Sequence, residues 1–173
     1  MSVVTPITTI AVGVVVERSK GASLWSDFLW RPVSVLTGVP ETPPWTRLSD
    51  DGERATFYAG AAEIELYRSE ASLYRDNVMI EEPLLWVVLD PADGDPPFAP
   101  PKVTADPAEG EGWAGIAGAI VETVPMPETV RDTVAAFVAE HHVDRAFSKR
   151  RRDRADPEAL GRRPPTQAGK PRE

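Results

Sequence analysis

Residues Ile120–Arg152 constrain this chain more than any other stretch, because every local signal in them agrees. They read IVETVPMPETVRDTVAAFVAEHHVDRAFSKRRR. Ile120, Val121 and Val124 are β-branched and predict a short strand. Pro125 and Pro127 stop it, and Pro127 suits the first turn of a helix, where its missing N–H costs nothing. Val130, Val134, Phe137, Val138 and His141 then recur at helical spacing and form one apolar stripe. Glu128 and Asp132 sit near the positive end of that helix dipole, and His141, His142 and Arg145 near its negative end. The run Lys149, Arg150, Arg151, Arg152 and Arg154 has no apolar partner, so it predicts chain that does not pack.

The chain is therefore read as a single acidic domain over 1–148 and a basic, disordered tail over 149–173. The charge supports that division. The first part holds 10 Lys and Arg against 23 Asp and Glu, a balance of −13, and the second holds 9 against 4, a balance of +5. An acidic body argues against a nucleic-acid-binding domain, since phosphates need positive charge. The tail residues Lys149, Arg150, Arg151, Arg152 and Arg154 are instead candidates for gripping a protein partner. The chain has no cysteine. Disulfides, thiolate metal sites, iron–sulfur ligation and a Cys nucleophile are thereby excluded. No positive charge lies between Met1 and Val16, so the start does not read as a signal peptide. No run approaches the ~20 apolar residues of a membrane span. A cytoplasmic location away from membranes is expected.

Along the chain, Ile10–Val16 is apolar on both faces and predicts a central strand. Glu17–Gly21 reads as a turn, and Pro32–Leu36 as a second strand. Leu24, Trp25, Phe28, Leu29 and Trp30 form an aromatic cluster that reads first as core and, where exposed, as a contact patch. Asp50–Glu53 joins Trp45–Ser49 to Arg54–Ala59 in a hairpin, and the alternation of Glu63–Tyr67 predicts a strand with one wet face. Gly60, between those two runs, marks a bulge or a turn. Ser69 is placed to cap a short helix ending near Asn77, and Leu84–Leu89 predicts a buried strand beside the first. The Pro-rich run Asp90–Pro101 is a loop, Lys102–Ala105 a short strand, and Pro107–Ala117 a glycine-diluted helix. Strict βαβ alternation is absent. The fold class expected is α+β, a mixed or antiparallel sheet with two to three helices packed on one face.

Candidate chemistry is sparse. His141 and His142 are about 100° apart on a helix and cannot chelate one ion together. Asp90, Asp93 and Asp95 lack the spacing of a calcium loop, and Glu63 and Glu65 belong to a solvent-facing strand edge. No Gly-rich phosphate loop and no G-x-S-x-G is present. Neither catalytic residues, metal ligands nor a cofactor are assigned. The residues left as a possible contact patch are Trp25, Trp30, Arg31, His141 and His142. A competing arrangement is a pocket of Trp25, Trp30, Tyr58 and Tyr67 with Arg18, Arg31 or Arg68 holding an anion.

Several segments together resemble a known family. They are VGVVVER at Val12–Arg18, the pair Trp25 and Trp30 with Arg31-Pro32, and FYAGAAEIELYR at Phe57–Arg68. LLWVVL, VETVPMP at Val121–Pro127 and FVAEHHV…FSKRRRDRADPEALG at Phe137–Gly161 continue the match over nearly the whole chain. The chain resembles the proteobacterial family known as domain of unknown function 3305. That resemblance implies genes placed beside formate dehydrogenase, an iron–sulfur protein and a cytoplasmic chaperone. It therefore implies a non-catalytic accessory or assembly factor, whose partner is a molybdenum- and iron–sulfur-containing formate dehydrogenase or its assembly machinery. Some relatives are labelled for molybdopterin-guanine dinucleotide biosynthesis, which implies the alternative of a pterin or nucleotide carrier, or an enzyme of molybdenum cofactor synthesis.

Overall fold

The computed structural model describes residues 5–21 and 28–143. These residues belong to a compact unit that ends at Val143. Strand β1 (Thr8–Lys20) is the axis of the first sheet, whose order is β2 (Phe28–Thr37), β1, β4 (Arg54–Leu66), β3 (Thr46–Asp50). All its pairings are antiparallel. Helix α1 (Ala71–Val78) follows, then β5 (Leu84–Leu89), β6 (Lys102–Thr104), α2 (Pro107–Trp113), β7 (Ile120–Pro125) and α3 (Glu128–His141). Strands β6, β5 and β7 form a second antiparallel sheet in that order. The expected α+β class is what the chain adopts.

β2 lies against β7 and β4 against β6, so the two sheets meet along both flanks around one core. Val12, Val14 and Val16 of β1, Ile64 and Leu66 of β4, and Leu85, Val87 and Leu89 of β5 are essentially fully buried. Each such side chain contributes roughly 1.5–3 kcal/mol through burial. Helices α1 and α3 pack on each other and add Tyr74, Val130, Val134 and Phe137 to the same core. The α3 stripe is therefore buried as its spacing predicts.

Three local expectations are corrected. Glu17–Gly21 does not turn: β1 continues to Lys20, because Glu17, Arg18 and Ser19 pair with β2 on one side and β4 on the other. Two ladders outweigh the low strand propensity of charged residues. Ser69 does not cap α1; it lies in a 3-10 turn, Arg68–Glu70, and the position before α1 is Glu70 with no side-chain cap. β5 is not a neighbour of β1 but the centre of the second sheet, sharing its core rather than its ladder.

The runs Arg54–Ala59 and Glu63–Tyr67 are one bent strand. Its register slips by a residue where Val14 faces Gly60 and Val15 faces Tyr58, and Gly60 has φ 134°, so the bulge needs glycine. In α2, glycine again has a physical reason: a Cβ on Gly110 would lie 2.1 Å from the Trp86 ring. Asp106 caps that helix, accepting from the Ala108 and Glu109 N–H groups at 2.8 and 3.4 Å. Buried Asn77 ties α1 to the second sheet, donating to the Leu84 and Ala105 carbonyls at 2.8 Å and accepting from the Leu84 N–H at 3.1 Å.

Candidate functional site

Two surfaces gather residues that could bind something. The first is a groove of about 340 Å³ between α1 and α3, lined by Val78, Met79, Ala135, Val138 and Ala139, with Arg75 and His142. The amphipathic spacing of α3 turns Val134 and Phe137 inward and leaves Ala135 and Ala139 as its floor. Small alanines there leave room that larger side chains would fill. Arg131 of α3 donates to the Val78 carbonyl at 3.2 Å and fixes the spacing of the two helices. Of the lining residues, Met79 is 70% exposed; Ile80 and Val143, next in sequence to lining residues, are exposed as well.

The second is an aromatic cluster at the opposite end of β1. Arg18 faces the same side as Phe28 and Trp30 because β1 pairs Arg18 with Trp30 and Lys20 with Phe28. Its guanidinium carbon lies 4.1 Å from the Phe28 ring centre, 5.1 Å from Phe57 and 5.6 Å from Trp30. Trp30 in turn meets Trp45, Phe57 and Phe98 at 5.6–5.8 Å. Trp45 has φ 65°, a strained conformation for so large a side chain, and stacks on Phe98 at 6.0 Å. Phe98 arrives from the Pro-rich loop, where Pro91 and Phe98 form an isolated bridge.

The sequence-predicted patch is not brought together as one surface. Trp30 belongs to the aromatic cluster, while Arg31 is on the other face of β2 and bridges Glu17 at 3.5 Å. His141 is turned inward, its ring 4.4 Å from Phe137 and its Nε2 3.8 Å from Glu140; His142 lines the groove. The two imidazoles thus diverge as their helical spacing requires. Trp25 and the basic run Lys149, Arg150, Arg151, Arg152 and Arg154 lie outside the described residues. Nor does the alternative pocket assemble. Tyr58 is buried on the opposite face from Phe57, against Gly13, and Tyr67 donates to the Glu65 carboxylate. That hydrogen bond pushes the Tyr67 hydroxyl up to about 12. Among that pocket's described residues, Arg18 and Trp30 are the ones that meet.

Asp90 pairs with Lys102 at 2.6 Å rather than with Asp93 or Asp95. Among the described residues, no group of three or more His, Asp or Glu side chains is placed to hold a metal ion, and no helix is long and apolar enough to cross a membrane. Sequence reasoning missed Met79, Ala135 and Ala139. The one signal for them was an apolar Met79-Ile80 pair left over at the end of a short helix.

The sequence profile described as "Protein of unknown function (DUF3305)" matches residues 11–151. The chain belongs to that family. The DUF3305 match takes in every described strand and helix except the first three residues of β1, and includes both candidate surfaces. No curated protein and no solved structure matches the chain.

Proposed function

We propose that this DUF3305 chain is a non-catalytic accessory factor of the cytoplasm that binds a protein partner, namely a molybdenum- and iron–sulfur-containing formate dehydrogenase or its assembly machinery. The groove between α1 and α3 carries the reading. It is apolar along its floor, open, and rimmed by an exposed methionine, the construction that receives an amphipathic helix. Methionine's unbranched, polarizable side chain adapts to more than one partner surface, as an assembly factor requires. The partner's identity comes from the family resemblance and the gene setting it implies.

In this reading the basic residues Lys149–Arg154 speed encounter with an acidic partner surface, an effect that weakens with salt. A tagged chain purified from cells making formate dehydrogenase should carry dehydrogenase subunits with it, and Met79→Glu should not. Removing residues 149–173 should lower capture while the melting temperature stays put. Equal recovery by wild type and Met79→Glu, or no dehydrogenase in either, would refute the proposal.

A further inference from the structure

We infer that Met79 is a modification site: oxidation of its thioether to the sulfoxide by hydrogen peroxide closes the groove between α1 and α3 to its partner. The inference rests on the reading of that groove as the docking surface and adds its regulation. The chain has no cysteine, so no thiol of its own competes for the oxidant. Of the methionines among the described residues, Met79 is 70% exposed and Met126 8%. Oxidation follows access of the oxidant to sulfur, so Met79 reacts while Met126, packed in the core, is shielded. Met79 follows the last turn of α1, where its backbone N–H donates to the Arg75 carbonyl at 3.1 Å. Main-chain atoms alone make that bond, so a change at the sulfur leaves the helix end in place.

Peroxide alone balances the step. A lone pair on the sulfur attacks one peroxide oxygen, the O–O bond breaks, and the proton on the transferred oxygen leaves with the departing hydroxide as water. Sulfur is oxidised, peroxide is reduced, and no further reactant enters. The product puts a strong hydrogen-bond acceptor where a soft, apolar atom lined the groove. The aliphatic lining of Val78, Ala135, Val138 and Ala139 has no side-chain donor to meet it, and an apolar helix face laid over it brings none. Docking would then strip water from the sulfoxide oxygen without replacing the lost hydrogen bonds, which weakens binding.

The test treats the purified full-length chain alone with dilute hydrogen peroxide and removes the peroxide with catalase before any binding is measured. Peptide mass mapping should find the added oxygen on Met79 before Met126. Titration into cofactor-free formate dehydrogenase catalytic subunit should show Kd raised about tenfold or more by the treatment. Nile red, an uncharged apolar dye, reads the groove without the partner, and its fluorescence on the chain should fall. Met79→Leu, close in volume and without sulfur, should behave as untreated wild type before and after peroxide. Methionine sulfoxide reductases should restore the treated wild type. The melting temperature should stay unchanged throughout, which separates a blocked groove from a damaged fold. Oxygen on Met126 as early as on Met79, or treated Met79→Leu losing its signals as treated wild type does, would overturn the switch. Loss and recovery of Nile red fluorescence with no dehydrogenase binding by the untreated chain sinks the accessory role alone; dehydrogenase binding that peroxide leaves undiminished sinks the switch alone.

Discussion

The groove between α1 and α3 and the mouth around Arg18 occupy opposite ends of the same strand, and they are built on opposite principles. Tyr74 of α1 hydrogen bonds to the end of β4, where Leu66 faces Thr8, whereas Arg18 faces Ala55 ten residues further along β1, about 33 Å away by strand rise. The groove is made of aliphatic side chains on two helices, with a flexible methionine at its lip. The mouth is made of rings that touch one another, held by a strained Trp45 and pinned by a guanidinium. One surface can remodel to suit its occupant; the other presents a fixed charge. Adaptable apolar area and fixed electrostatics serve different parts of recognition, the first residence and the second steering and selection.

The contrast can be broken from the core outward. Phe137→Ala should have the largest effect, about 3–5 kcal/mol of stability by chemical denaturation, since the ring is buried between Tyr74 and His141 under the groove. It should loosen the groove and leave the Arg18 mouth closer to native, seen as faster hydrogen exchange in α1 and α3 than in β1. Asn77→Ala should cost about 1–3 kcal/mol, because three backbone hydrogen bonds are lost and buried polar groups are left without partners.

Alkaline pH should act on the groove end. Burial pushes the Tyr74 hydroxyl from 10.0 up to about 12. Below pH 10 both folded and unfolded chains keep the proton, so stability is unaffected. Between pH 10 and about 12 the unfolded chain releases it first, and stability falls. Tyr74→Phe should flatten part of that decline, with Tyr67 supplying the remainder. The smallest effect on folding belongs to Met79→Glu, within about 0.5 kcal/mol of wild type because the side chain is 70% exposed. Its effect on binding at the groove should nonetheless be large.

Periodicity made the elements of this fold legible, but not their association. The α3 stripe, the strand at Leu84–Leu89 and the hairpin at Asp50–Glu53 follow from spacing and turn chemistry, which act within a few residues. The split into two sheets does not, because a continuously apolar strand suits the middle of either. The extension of β1 through Glu17–Lys20 was hidden by its charges, whose pairing depends on partners about eight to forty residues away. The same distance hid the mouth. Trp30 stood out as an aromatic, but its meeting with Arg18, Phe57 and Phe98 needs the registers of β1 and β4 and the path of a Pro-rich loop. The groove was harder still, since alanines carry meaning only once a second helix faces them.

The most direct measurement is isothermal titration of the purified full-length chain into cofactor-free formate dehydrogenase catalytic subunit, run in parallel with Met79→Glu. Saturable binding by the wild-type chain, with a negative heat-capacity change from apolar burial and a loss of about tenfold or more in the variant, is the predicted result. Identical isotherms for the two chains, or no heat from either, would contradict the account.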